Sequence, residues 1–176
     1  MRTSIKRALA PLAVAGALIL PGVSPASAVN HVYDLPAGTA CAGFNLRLEV
    51  ADPGRTEQFL PDKNGLPRSI TAGKGNVLKF TNFGTDPGEW VEGESVTIKT
   101  GGSVQHTVYN EDGTLTITGT GHNVILLFPG DEPAEETPST KLYVGKIRYT
   151  FDRDTGFTEI LSFKGRERDI CAELAS

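Results

Sequence analysis

Patterns that carry chemistry are scarce in this chain. Its two cysteines, Cys41 and Cys171, stand far apart with no C-x-x-C spacing, which excludes a poised redox pair. Its three histidines, His31, His106 and His122, form no H-x-H or H-E-x-x-H element and no Cys/His cluster, so the spacing of a zinc site is missing. There is no G-x-S-x-G nucleophile elbow. Helical periodicity is also lacking beyond residue 28, apart from ERDICAELA, where Ile170 and Leu174 would share a face for two turns at most. No internal repeat or heptad is present. What remains is a chain rich in glycine and short alternating runs.

The N-terminus has the three-part pattern of a cleaved export signal. MRTSIKR carries Arg2, Lys6 and Arg7, ALAPLAVAGALIL is apolar, and PGVSPASA ends in Ala26-Ser27-Ala28. The apolar run stops at Pro21, short of the roughly 20 residues a membrane anchor needs. Cleavage is expected between Ala28 and Val29, leaving residues 29–176 as one secreted, soluble domain. Three basic residues leave with the signal, so 14 Lys and Arg face 21 Asp and Glu and the formal charge moves from −4 to −7. A surface of that sign repels phosphate backbones and anionic lipid, which argues against nucleic-acid partners. In an oxidising compartment, an even cysteine count favours a bridge between Cys41 and Cys171 over two separate buried thiols.

Alternation begins at once in the mature part. In AGFNLRLEV, Phe44, Leu46, Leu48 and Val50 fall on one face, and Asn45, Arg47 and Glu49 on the other. Residues 51–75 are rich in Pro, Gly and charge and read as a long connection with a short hairpin at Asn64-Gly65. Further strands are expected in 76–83, 94–100, 103–110, 114–118, 123–128, 141–152 and 157–165, with turn residues between them. NVILLF is apolar throughout, as in a strand buried on both sides, and Gly145 marks a bulge or close packing. The expected fold is all-β: a single-domain antiparallel sandwich or flattened barrel of about eight strands.

Several stretches invite a functional reading. GTGHN (119–123) resembles a phosphate loop, but strand-like NVILLF follows it rather than a helix, and Val124 stands where a third glycine would be. A hairpin turn is the expectation. Asp131, Glu132, Glu135 and Glu136 are irregularly spaced and broken by prolines, so they read as a solvated loop, not a calcium cradle. Asp152-x-Asp154-x-Gly156 reads as a hairpin turn, because Glu159 comes too soon for the ligand ladder of an EF-hand. No metal or other cofactor is implied. Trp90, the only tryptophan, is expected to plug one end of the sandwich. Exposed instead, it could form a coplanar sugar-binding strip with Tyr109 or Tyr143. Tyr143 and Tyr149 share parity and so one face of a strand.

The order of the segments CAGFNLRLEV, VLKFTNFGT, DGTLTITGTGHNVILLFPGD, LYVGKIRYTFD and DICAEL resembles a family of small exported proteins from actinobacteria. The resemblance spans most of the mature chain and implies secretion, a β-rich domain and Cys41–Cys171 pairing; it transfers no catalytic residue. Three functions are therefore expected in order. The first is a non-catalytic module that binds a protein or cell-surface partner. The second is a carbohydrate-binding module built on Trp90, Tyr109 and Tyr143. The third is a small hydrolase, which would bring His106 or His122 within reach of a carboxylate and a hydroxyl.

Overall fold

A computed structural model describes residues 31–51, 54–85 and 90–176. The expected export segment, with its cut between Ala28 and Val29, lies outside the described residues. Ten strands and one short helix follow in order: β1 (His31–Leu35), β2 (Leu46–Ala51), β3 (Arg55–Lys63), β4 (Leu66–Gly73), β5 (Val77–Asn82), β6 (Ser95–Lys99), β7 (Val104–Tyr109), β8 (Thr114–Leu127), β9 (Ser139–Asp152), β10 (Thr158–Asp169) and α1 (Ile170–Leu174). They form two antiparallel sheets that pack together as an all-β sandwich, with orders β1-β2-β5-β6 and β10-β9-β8-β7-β4-β3.

Alternation places the core. Leu46 and Leu48 of β2, Leu78 and Phe80 of β5 and Ile98 of β6 face Leu142 of β9, with Val124, Leu126 and Val144 beside it. Ile170 and Leu174 of α1 close this cluster. The Asp169 carboxylate caps the helix by accepting from the Ala172 N–H at 2.9 Å. Cys41, fully buried, is disulfide-bonded to Cys171 with 5.5 Å between their α-carbons. Opposite parity on β8 and β9 builds a second cluster from Ile125, Leu127, Tyr143, Ile147 and Tyr149. NVILLF thus has apolar neighbours on both faces, and Tyr143 and Tyr149 do lie together.

Four expectations need correction, and they raise the strand number from about eight to ten. GTGHN is no hairpin: β8 runs unbroken for 14 residues and pairs with β9 from Thr114↔Asp152 to Leu127↔Ser139. Turn-forming residues lose here to a ladder of the same length. The glycines serve close packing instead. Gly121, Gly145 and Gly165 lie opposite one another across β8, β9 and β10, all at positive φ (82°, 144° and 155°). A Cβ on Gly145 would strike the Lys164 carbonyl, and one on Gly165 would strike that of Val144. This row lets the backbones of three long strands approach closely, while opposite parity gives β8 and β9 a share in both clusters and β10 adds Ile160 and Phe163 to the second.

Residues 51–75 are not chiefly a connection either. Strands β3 and β4, of nine and eight residues, meet at a tight turn with Asn64 at φ 55° and Gly65 at φ 80°. The stretch from His31, where no strand is among those expected, pairs with β2 along the whole of β1. Finally, Asp131 is not in a solvated loop. It is 4% exposed, and its two oxygens accept from the backbone N–H of Phe128 and of Thr158, each at 2.7 Å. One carboxylate therefore ties the end of β8 to the start of β10. Asp131→Ala leaves two N–H groups without partners and is expected to cost about 3 kcal/mol in urea denaturation. Asp131→Asn, which keeps one acceptor, is expected to cost about half as much.

Candidate functional site

The residues singled out in the sequence do not converge. Trp90 is half-buried and lies in the connection between β5 and β6, where its ring is 5.6 Å from that of Phe83. Arg47 projects from the face of β2 opposite Leu46 and Leu48. Its guanidinium sits 4.6 Å from the Phe83 ring centre and 5.8 Å from that of Trp90. Asp34 holds the same guanidinium through bonds of 2.6 and 3.0 Å, which lowers the Asp34 carboxyl from its ordinary range. Trp90 is thus part of an Arg–aromatic stack and does not plug the sandwich.

Tyr109 belongs to the other sheet and stacks on Phe59, with ring centres 5.9 Å apart and 27° between planes. One Glu57 carboxylate oxygen accepts from the Ser69 hydroxyl at 2.6 Å and from the Tyr109 hydroxyl at 2.8 Å. These two bonds, Ser69 first, hold the Glu57 carboxyl below its usual range. Tyr143 is 3% exposed and meets Phe163 edge-on at 4.9 Å. Burial raises its phenol well above the ordinary value. Burial likewise pushes the Tyr149 phenol up to about 12, while the charge of Arg55 works against the rise. Tyr143 therefore cannot enter an exposed strip, and Trp90 and Tyr109 pack against separate partners, Trp90 in the β5–β6 connection and Tyr109 on β7.

His106 is exposed and lines a shallow groove beside Leu60 and Leu66. His122 lines a small cavity between the sheets. Among the described residues, neither histidine makes a hydrogen bond to a carboxylate or a hydroxyl, and no group of three or more His, Cys, Asp or Glu could hold a metal. Asp152 accepts from the N–H groups of Asp154 (2.8 Å) and Thr155 (3.2 Å), which closes the β9–β10 turn expected there.

One surface feature among the described residues is apolar. Phe128, Phe151 and Phe157 line a groove of about 550 Å³ floored by Pro129, Gly130 and Asp131. Phe128 also borders a second groove, of about 270 Å³, with Tyr33, Leu35, Leu48 and Leu126. Phe128 lines both grooves and so joins them. Tyr33 (49% exposed), Phe128 (37%) and Phe157 (38%) present much of their rings to solvent. Asp131 fixes the geometry, because the two N–H groups it binds belong to Phe128 and to the residue after Phe157. Strand β1, which carries Tyr33 and Leu35, is the outermost strand of its sheet, so one of its edges is unpaired with any strand among the described residues. Sequence reasoning missed this surface because its rings come from four separate segments. The only local signal was FPGD, an apolar end to a strand followed by a turn.

No protein-family description, no curated protein and no solved structure matches this chain. Among the described residues, no helix is long and apolar enough to cross a membrane.

Proposed function

We propose that this chain is a secreted, non-catalytic β-sandwich module that binds an extended apolar segment of a partner protein at the cell surface. The joined grooves around Phe128 carry this reading. Contiguous exposed apolar surface marks interaction sites more often than solvent-facing decoration. The free edge of β1 runs along one groove, so an added strand would pair with its backbone and drop alternate side chains between Tyr33, Leu35 and Phe128. The export-like N-terminus and the disulfide support the extracellular setting. The resemblance to small exported actinobacterial proteins points the same way.

A displayed random-peptide library panned against the secreted chain tests this directly. Extended sequences alternating apolar and polar residues are expected to be enriched. Phe128→Asp is expected to weaken their binding by about tenfold or more, as loss of a central aromatic anchor does. Phe59→Ser, which alters a ring 67% exposed on β3 at the far edge of the six-stranded sheet, should leave binding unchanged. Equal retention by the two variants, or no enrichment at all, overturns the proposal.

A further inference from the structure

We infer that the small polar cavity between the sheets, at Arg55, Asn76 and Asn123, is a binding site for a small hydroxylated oxyanion of the bicarbonate or phosphate type. The cavity holds about 90 Å³ and gathers the start of β3, the residue before β5, the start of β7 and the middle of β8. It lies apart from the apolar grooves, and its occupant is a different kind of molecule from the peptide proposed above.

Unpaired polar atoms point to a ligand. Buried polar groups in folded proteins nearly always have partners. Among the described residues, six buried side-chain nitrogen or oxygen atoms have none, and four of the six belong to residues that line this cavity: Arg55 Nε, Asn76 Oδ1 and both amide atoms of Asn123. Asn123 is 3% exposed, so bulk water does not compensate its amide. Its place is built into the strand: a Cβ on Gly119 would lie 2.6 Å from Asn123 Oδ1, and glycine leaves that space free.

The charge of the site selects the class of ligand. Arg55 donates from one terminal nitrogen to Gln105 Oε1 at 3.1 Å and takes part in no ion pair among the described residues. No acidic side chain lines the cavity, although the chain as a whole carries a formal charge of −4. A guanidinium with a buried, idle N–H in such a setting favours an anion, and the paired oxygens of carboxylate-like and phosphate groups match its fork. The oxyanion oxygens accept from Arg55 Nε and Asn123 Nδ2. A protonated oxygen on the same ion donates to Asn76 Oδ1 or Asn123 Oδ1, which chloride cannot do. Size sets the upper limit. At about 30 Å³ per water molecule the space equals roughly three waters, enough for an ion of four or five heavy atoms and too little for a sugar ring or nucleotide.

Nitrogen-15 NMR of the folded secreted chain, titrated separately with bicarbonate, inorganic phosphate, formate and chloride, tests the assignment. Saturable shifts of the Asn123 amide and Arg55 Nε–H signals are expected with bicarbonate or phosphate, a weaker response with formate, and none with chloride. The two leading arms identify which hydroxylated ion is preferred. Arg55→Gln is expected to reduce the affinity by about tenfold or more while leaving the remaining spectrum unchanged. Asn123→Asp should abolish binding by placing like charge in the cavity. If neither ion gives saturable shifts, or if Arg55→Gln responds as the wild type does, the cavity holds only water and the inference fails. The wild-type titration decides this even if a variant does not fold.

Discussion

Replacing Cys41 and Cys171 together by alanine is expected to lower stability by about 4 kcal/mol. The bridge spans 130 residues of sequence. For a loop of that length, chain-entropy arguments give about 5 kcal/mol as a ceiling, and measured values fall below it. In a domain of this size each kcal/mol moves the melting temperature by about 2–4 °C, so the midpoint should fall by roughly 10 °C. Local contacts direct where the loss is felt first. The Ala40 carbonyl, next to Cys41, accepts from the buried Thr140 hydroxyl at 3.0 Å, while Asn82 Nδ2 donates to the Leu174 carbonyl at 2.8 Å. These bonds stay available to the double variant, so α1 should remain docked on β5 and β9 in the folded state. The main change is in the unfolded chain, which becomes more expanded, and urea unfolding should show a steeper slope as well as an earlier midpoint. An unchanged midpoint on full reduction would show that the bridge contributes nothing.

Legibility in the sequence followed the chemistry of each strand's two faces. In β2, Leu46 and Leu48 alternate with Arg47 and Glu49 because one face meets the core and the other meets water. That contrast is what periodicity reports. In β3 it is missing: Thr56, Glu57, Gln58 and Phe59 are all exposed, so no alternation marks the strand, and only Asn64-Gly65 betrayed the hairpin. In β8, Gly119 and Gly121 gave a strong local turn signal that the full-length ladder with β9 overrode. Asp131 was unreadable for another reason. Its partners are backbone N–H groups, one of them 27 residues away, and backbone groups have no sequence identity. The two candidate sites were hidden likewise, since strand order and the packing of one sheet on the other, rather than spacing, bring Arg55 to Asn123 and Tyr33 to Phe128.

Gly145→Ala is expected to cost about 3 kcal/mol or more, a large effect for a single methyl group. Two separate penalties add. At φ 144° the backbone is in a region that side chains with a Cβ seldom adopt, which costs on the order of 1–3 kcal/mol. The new methyl would also overlap the Lys164 carbonyl and lie 2.9 Å from the Gly165 α-carbon, and both are backbone atoms of a paired strand that cannot rotate away. Gly113 separates the two penalties. It has φ 86°, and an added methyl there would meet nothing within 4 Å, so Gly113→Ala should show the conformational cost alone, about 1 kcal/mol. Gly165→Ala should resemble Gly145→Ala, because each methyl meets the other strand's backbone across the Gly145↔Gly165 pair. The double variant is expected to cost less than the two singles combined, since one separation of β9 from β10 relieves both overlaps. Urea denaturation of the four variants measures all of this. If Gly145→Ala stays within about 0.5 kcal/mol of the wild type, the close approach of β9 and β10 at the glycine row does not require glycine.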